Sequence, residues 1–347
     1  MMEGGWRFPA LRTILSRLQL LVFVPCFAAL SSPLLPAMPQ SAVNPSKSDT
    51  SSEDKTFTKI EALIVLKQYD KAETLVDSAI AKGTPPARAY FRIGKAYFDH
   101  DEWQRAADYL EKSLKAEEGS DQAHLLLGLA YRELKQHGQA ETEFVKAVAL
   151  NPRSDVNAYL AGQQLLLERK YDAALSYLYE AVKLNPRSAL AYRALGTTQV
   201  QLGNYDLAEP YYRKAVEVLG DSASSDPGPL LDLSFILLLG HDPVKVEEAL
   251  KLARRAAAIQ PSSGSAHYLV GKALMSQGRV KEAVPELVLA TRLDPDDSKA
   301  HFQLALAYER LGDREKALAE RQALAKTKQR ANQQGMASGS VLPSAQQ

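Results

Sequence analysis

Apolar and polar positions recur in a pattern that returns every 34 residues through the centre of the chain. Residues 121–154 (DQAHLLLGLAYRELKQHGQAETEFVKAVALNPRS) hold two stretches with apolar side chains at helical spacing, and residues 155–188 follow the same pattern. A segment containing glycine joins the two predicted helices. Pro152 ends the second helix, because proline cannot continue a helix and disfavours helical geometry at the preceding Asn151. The spacing predicts a helix–turn–helix repeat.

Small residues hold fixed places in this repeat. When the first residue of each repeat is counted as position one, position eight is glycine in the second to fifth repeats and position twenty is alanine throughout. Two helices approach closely only where side chains are small. We therefore expect Gly128 to face Ala140 and Ala147 across the helix crossing. Large side chains should fill the space beside that contact, namely Leu127, Tyr131 and Phe144.

The frame predicts five repeats over residues 53–222, an insertion at 223–226, and three further repeats over 227–331. Three extra residues in the sixth repeat lengthen its predicted turn before Ala249. The shift in frame marks either a boundary between two modules or a longer loop in one continuous stack, and we favour the continuous stack. Arg321 replaces an apolar or small residue in the last repeat, which is typical of a terminal cap. We predict a disordered tail over residues 332–347.

Over residues 53–331 this pattern resembles the tetratricopeptide repeat, whose period is also 34 residues. The resemblance implies an all-α fold, a right-handed superhelical solenoid of about eight helix–turn–helix units. It also implies that the first helix of each repeat lines a concave side, where a peptide or helix of a partner protein lies.

The chain begins with features of an export signal. Arginines precede a short apolar run, Leu18–Leu30, which is interrupted by Pro25 and is too short for a comfortable membrane span. We predict a signal peptide and cleavage region over residues 1–42, with cleavage after Ser31 or Ala42, and a flexible leader over 43–52. The protein would then be periplasmic or secreted. The alternative is an uncleaved membrane anchor through residues 18–30.

Charge and cysteine content narrow the function classes. The formal net charge is +1 with 24% charged residues, so no strong field would gather nucleic acid or an anionic membrane. Residues 1–42 contain three arginines and one glutamate, so their removal changes the net charge to −1. Cys26, the single cysteine, lies inside the apolar run. The processed chain would therefore lack disulfides and cysteine nucleophiles.

No residue pattern predicts an enzyme, a metal site or a cofactor. His124, His267 and His301 share position four of separate repeats, which indicates packing, and His100, His137 and His241 lie at or near predicted turns. The motifs HExxH, GxSxG, GxxxxGK[ST] and GxGxxG do not occur in the sequence. Paired carboxylates fall at helix ends or on polar faces. We expect a non-catalytic protein without a cofactor.

The resemblance implies that a partner binds through positions two, five, six, nine, twelve and thirteen of the first helices. In the second and third repeats these positions hold Arg88, Phe91, Arg92, Lys95, Phe98, Leu125, Leu126, Leu129 and Arg132. In the fourth and fifth repeats they hold Tyr159, Leu160, Gln163, Leu166, Leu167, Arg193 and Thr197. The patch is basic at one end and apolar in the middle.

We therefore expect an acidic and apolar peptide or helix as the ligand. Arg88, Arg92, Lys95 and Arg132 would steer it, and the contacts would come from Phe91, Leu125, Leu129 and Tyr159. The basic residues would otherwise be solvated charges, and the next repeat would otherwise cover the leucines. Some tetratricopeptide repeats clamp a terminal carboxylate with lysine and asparagine. The asparagine positions here hold Phe57, Glu61 and Arg92, which argues against that clamp.

Two other functions fit the same sequence. One is a membrane-anchored assembly factor that acts through its N-terminal segment and self-association. The other is a regulatory arm of a glycosyltransferase or protease complex, whose enzyme would be a separate polypeptide.

Overall fold

The structure is a computed structural model that describes residues 49–220, 226–240 and 242–337. These residues form sixteen α-helices and no strand, so the all-α prediction is confirmed. They fall into two compact regions, an N-terminal region of residues 49–204 and a C-terminal region of residues 205–337. The predicted signal peptide or anchor, Cys26, His241 and residues 338–347 lie outside the described residues.

The N-terminal region consists of nine helices among its described residues. They are α1 (Asp49–Val65), α2 (Tyr69–Ala81), α3 (Pro86–Asp99), α4 (Trp103–Ala116), α5 (Asp121–Glu133), α6 (His137–Leu150), α7 (Asp155–Leu167), α8 (Tyr171–Leu184) and α9 (Ala189–Gln201). Each helix packs against the next one along the chain.

The C-terminal region consists of seven helices among its described residues. They are α10 (Tyr205–Leu219), α11 (Gly228–Leu237), α12 (Pro243–Ile259), α13 (Gly264–Ser276), α14 (Val280–Leu293), α15 (Ser298–Arg310) and α16 (Arg314–Ala337). Here too each helix packs against its successor, and α11, α13 and α15 also contact one another in that order.

Serine caps mark where three of the first helices begin, and a residue with positive φ marks the turn after α5. Ser120, Ser154 and Ser188 precede α5, α7 and α9, and each hydroxyl accepts a hydrogen bond from the backbone N–H three residues later. The turn after α5 closes through Lys135, whose φ is +63°. A left-handed residue costs about 1 kcal/mol when it is not glycine. Gly138 lies in the first turn of α6 and not in this turn.

Glycine at position eight makes room for a large side chain, which corrects the predicted contact with the two alanines. A Cβ atom on Gly128 would lie 2.8 Å from Phe144, and one on Gly162 would lie 2.7 Å from Leu178 Cγ. Both partners hold position twenty-four and are fully buried. The missing side chain of the first helix is thus replaced by a bulky one of the second, which keeps the crossing close-packed.

Three boundaries differ from those predicted. The helix α1 starts at Asp49, inside the predicted leader, and α16 continues through residues 332–337, inside the predicted tail. Lysine, arginine, glutamine and alanine favour a helix, which explains this extension of α16. The extra residues of the sixth repeat extend α12 and not only its preceding turn, because Asp242 caps the helix by accepting from Val244 N at 2.9 Å and Pro243 occupies its first position.

The two compact regions divide between Asn204 and Tyr205, inside the predicted fifth repeat and not after Ser222. Turn-forming residues mark where a chain bends, whereas a compact region depends on which helices pack together. Whether the insertion at 223–226 separates two modules or lengthens a loop in one continuous stack stays a prediction.

Candidate functional site

The first helices of the N-terminal region lie side by side. The helix α1 contacts α3, α3 contacts α5, and α7 contacts α9. A hydrogen bond from Arg132 Nη1 to Gln163 Oε1, at 2.9 Å, joins α5 to α7. We call the surface formed by α1, α3, α5, α7 and α9 the first-helix wall. It brings together the site residues predicted in the second to fifth repeats.

The cations of α3 are paired with carboxylates. Arg92 Nη1 lies 2.8 Å from Asp54 Oδ1, and Arg88 Nε lies 3.2 Å from Glu53 Oε1. Lys95 Nζ lies 2.5 Å from Asp99 Oδ2. These pairs reduce the positive field expected at this end of the wall. The acidic partners on α1 hold positions one and two of the first repeat, so a comparison of neighbouring repeats at those positions would have found them.

Arg92 also makes an aromatic contact. Its Cζ lies 4.1 Å from the ring centroid of Phe57 on α1, within the range of a cation–π interaction. The neighbouring Phe91 is half-buried against the core. Phe98, predicted on the binding face, is fully buried and packs edge-on against Trp103 with ring centroids 5.1 Å apart. Phe98 is therefore a core residue.

The expected exposed strip of leucines is absent from this wall. Leu125 and Leu129 are 5% and 4% exposed, and Leu160 and Leu166 are equally buried. The expectation that Leu125 and Leu129 are exposed is wrong, because neighbouring groups cover both side chains, and their contact with a partner stays a prediction. Leu126, Leu167 and Tyr159 are half-buried and keep part of their surface accessible.

Arg132 forms the centre of a short polar chain at the α5–α7 junction. It donates to Gln163, and Gln163 Nε2 donates in turn to the Tyr159 hydroxyl at 3.0 Å. The guanidinium Cζ lies 5.4 Å from the ring centroid of Phe144. Arg132 holds position twelve of one repeat, and Gln163 and Tyr159 hold positions nine and five of the next. A search for polar pairs 31 residues apart would have found the link to Gln163.

The charge of Arg132 is poorly compensated. The residue is 2% exposed, and its Nε and Nη2 atoms are buried without a hydrogen-bond partner. Burial lowers the pKa of Arg132 to about 10, since removal from water disfavours the charged form. Tyr159 and the negative charge of Glu133 oppose this lowering of the pKa, but neither places a carboxylate within hydrogen-bonding distance of Arg132. A buried guanidinium without a hydrogen-bonded carboxylate is a costly arrangement for a purely structural residue.

At the far end of the wall, Arg193 and Thr197 on α9 are half-buried. The Thr197 hydroxyl donates to the backbone carbonyl of Arg193 at 3.0 Å, a bond within the helix. These two residues thus lie on the wall as predicted from the repeat positions.

The three histidines at position four have a structural role. His124 Nδ1 lies 2.5 Å from Glu143 Oε2, and its Nε2 lies 3.2 Å from the carbonyl oxygen of Glu118. His267 and His301 repeat the arrangement with Glu286 and Glu320. Each imidazole ties the first helix of a repeat to its second helix and to the turn before it.

Within residues 49–337, as far as they are described, no group of three or more metal-ligating side chains is found. The wall supplies hydrogen-bond donors, a buried cation, paired surface charges and half-buried aromatic rings. Among the helices described, none is long and apolar enough to cross a membrane. The polar and aromatic groups of the wall are those used for recognition of another molecule.

Comparison with known families agrees with this geometry. Residues 159–227 match the family described as tetratricopeptide repeat, residues 271–312 match the family described as TPR repeat, and residues 65–147 match anaphase-promoting complex, cyclosome, subunit 3. The chain is a tetratricopeptide-repeat protein. Proteins of this family are generally non-catalytic scaffolds that bind other proteins or peptides.

Solved tetratricopeptide-repeat structures share the fold. PilF of Pseudomonas aeruginosa superposes with a TM-score of 0.53 at 21% identity, covering 60% of this chain and 92% of PilF. The Cut9–Hcn1 hetero-tetramer of the anaphase-promoting complex gives a TM-score of 0.55 at 17% identity, covering 81% of this chain and 54% of that one. PilW, a type IV pilus biogenesis factor, gives 0.53 at 16% identity, covering 64% of this chain and all of PilW.

Relatives with a higher identity match only a short stretch. The TPR repeat-containing thioredoxin TTL4 of Arabidopsis thaliana is 41% identical over 70 residues, which are 20% of this chain and 10% of TTL4. The inactive TPR repeat-containing thioredoxin TTL3 of the same plant is 43% identical over 70 residues. The chain thus spans about a tenth of the length of these curated relatives, and they show only the repeat that both share.

Proposed function

We propose that this protein is an exported, non-catalytic scaffold that binds a peptide or helix of a partner protein on its first-helix wall. The observation that carries the proposal is the continuity of the wall. Four successive first helices, from α3 to α9, present half-buried aromatic and polar side chains along one row. A row of this kind suits an extended ligand that crosses several repeats.

The composition of the row defines the ligand in outline. Phe91, Leu126 and Tyr159 offer part of their apolar surface, and Arg92 and Gln163 offer N–H donors beside them. A segment with apolar side chains and acceptor groups would match both features. Because the cations of α3 are already paired, we expect the ligand to compete with Asp54 and Glu53 for them and not to meet free charge.

The wall can be tested with two matched double variants of the full chain. The wall variant carries Tyr159→Ala and Arg92→Ala. The control carries Tyr179→Ala and Arg187→Ala, which remove the same two residue types from exposed positions on α8 and the loop after it. Both retain large apolar cores, so we expect unchanged helical circular dichroism.

The measurement is capture of binding proteins from the native source, with each protein identified and quantified. We expect the wall variant to capture at least tenfold less of a partner protein than the wild type and the control variant capture. A partner that binds the wild type and the wall variant equally well would contradict the proposal.

The apolar run Leu18–Leu30 keeps a second function open, a membrane-anchored assembly factor that acts through self-association. N-terminal sequencing of the mature protein separates the two. A start beyond residue 30 supports export with cleavage, whereas an intact N-terminus in the membrane fraction supports the anchor.

A further inference from the structure

The two unpaired nitrogens of Arg132 lie on one edge of its guanidinium group. Nη1 donates to Gln163 Oε1, whereas Nε and Nη2 have no hydrogen-bond partner. In a planar guanidinium, one N–H bond of Nη2 runs parallel to the N–H bond of Nε, and their separation matches the two oxygens of a carboxylate. The vacant edge therefore has the shape and charge of a carboxylate receptor.

The carboxylate nearest in sequence does not occupy this edge. Glu133 follows Arg132 on α5, but its Oε1 atom is itself buried without a hydrogen-bond partner. Thus Arg132 hydrogen-bonds to one amide oxygen and makes one distant aromatic contact, with Phe144. For a residue that is 2% exposed, this leaves most of the lost hydration uncompensated.

A comparison with the other cations of the wall makes Arg132 distinctive. Arg88, Arg92 and Lys95 lie nearer the surface, where water would stabilise them, and each still has a carboxylate partner. Arg132 is the most deeply buried of the four, and the charge of neighbouring Glu133 acts on it, but no carboxylate among the described residues lies within hydrogen-bonding distance. A charge kept in the interior at this cost indicates a role that a neutral side chain could not fill.

We infer that the Nε–Nη2 edge of Arg132 binds a carboxylate of the partner protein bidentately, with Gln163 and Tyr159 holding the guanidinium in place. The inference rests on the proposed function and names the group that the wall recognises. Arg132 holds position twelve of the third repeat, outside the asparagine positions of the clamp that the sequence excludes.

Access requires a small rearrangement. The edge is closed to solvent, so the carboxylate must displace a covering group before it binds. Gln163 and Tyr159, which hydrogen bonding links to Arg132, are half-buried and lie on the wall. Once bound, the carboxylate would satisfy two buried donors at the same time, and such charge-assisted pairs are the strong ones in proteins.

The test uses the full chain and three small probes at constant ionic strength. N-acetylglutamate α-amide offers a side-chain carboxylate, N-acetylglycine offers a terminal carboxylate, and N-acetylglutamine amide is the neutral control. The readout is the Nε–Hε NMR resonance of Arg132, identified by its loss in Arg132→Met. The melting temperature is a second readout, because a probe at five times its dissociation constant stabilises a chain of this length enough to raise Tm by about 1–2 °C.

We expect a saturable shift of this resonance with at least one acidic probe and no shift with the neutral one. The probe that binds more tightly shows whether the partner supplies a side-chain or a terminal carboxylate. Arg132→Lys keeps the charge but loses the two-pronged edge, so we expect binding at least tenfold weaker. Arg187→Met, a matched change of an exposed arginine outside the wall, should leave binding within about twofold of the wild type.

Several results would overturn the inference. One is that neither acidic probe shifts the Arg132 resonance, and another is that Arg132→Lys binds as well as the wild type. A third is that Glu133→Gln lowers Tm in the wild type but not in an Arg132→Met background, which would show that Glu133 supplies the carboxylate internally. If the wall variant loses its partner while the probes fail, the scaffold function stands and this site alone is rejected.

Discussion

Along the first-helix wall, α3 carries three cations near the surface and α5 carries one in the interior. The α3 cations have carboxylates within 4.0 Å, supplied by α1 and by α3 itself. Arg132 on α5 has an amide oxygen and no carboxylate. Electrostatic stability alone would place the carboxylates where desolvation is greatest. The reverse distribution is what we expect if the α3 pairs stabilise the fold and Arg132 on α5 binds the proposed ligand.

The largest change in stability is expected from removing Gln163, which accepts a hydrogen bond from Arg132. Gln163→Leu removes the hydrogen bond to the buried guanidinium, and we expect the free energy of unfolding to fall by about 2–3 kcal/mol. Urea denaturation followed by circular dichroism measures it. The matched change Gln122→Leu, at an exposed glutamine on α5, should stay within about 0.5 kcal/mol of the wild type.

The same substitution in an Arg132→Met background should cost almost nothing, because there is no longer a charge to satisfy. An equal loss in both backgrounds would show that Gln163 acts through packing and not through Arg132.

The second-largest effect is an increase in the free energy of unfolding. Arg132→Met replaces a buried, poorly compensated charge with an apolar side chain of similar length. We therefore expect the free energy of unfolding to rise by about 1–2 kcal/mol while carboxylate binding is lost. A decrease of that size would mean that Arg132 stabilises the fold, and the contrast between α3 and α5 would disappear.

A smaller loss is expected on α3. Arg92→Met removes an ion pair with Asp54 and a cation–π contact with Phe57, both partly open to water. We expect a decrease of about 0.5–1 kcal/mol that shrinks as salt is raised from about 0.05 to 0.5 M. Arg88→Met provides the comparison, since Arg88 is more exposed and pairs only with Glu53. A salt-independent loss at Arg92 would assign its contribution to packing.

The smallest expected effect is a change in how the stability of the protein depends on pH. Burial lowers the pKa of Arg132 to about 10 in the folded protein, below its ordinary value, so above about pH 10 the unfolded chain keeps more protons on this group than the folded one. Stability from this group therefore rises with pH above about 10. Burial raises the pKa values of Tyr97 and Tyr131, so the contribution of these tyrosines to the stability of the protein falls as the pH rises over the same range.

The tyrosines are common to the wild type and Arg132→Met, so their contribution cancels in the difference. We expect the stability advantage of the variant to narrow between pH 9 and pH 11 in denaturant titrations. A constant difference over that range would show that Arg132 keeps its proton throughout.

The repeat could be predicted from the sequence because its steric pattern is local. Gly128, Ala140 and Pro152 each act within one helix pair, and α5, α7 and α9 begin at the first residue of their repeats. The side chain that packs against Gly128 could not be predicted from the sequence. Helical spacing shows that two positions share a face, but only packing shows that the ring of Phe144 fills the gap.

The candidate site was predictable in its location and less so in its energetics. Phe91, Tyr159 and Gln163 all lie on first helices, and their contact with a partner stays a prediction. The repeat positions did not separate Leu126, which keeps accessible surface, from Leu129, which lacks it. Exposure depends on the crossing angle between successive repeats, and that angle is a sum of many side-chain contacts.

The sequence by itself therefore determined the helix–turn–helix repeat, its period, and the helices that form the wall. Each of these follows from which side chains are small, apolar or unable to continue a helix. Only the tertiary structure decided which charges of the wall are compensated. A guanidinium finds its carboxylate through distances between helices, and those distances place Asp54 beside Arg92 and leave one edge of Arg132 empty.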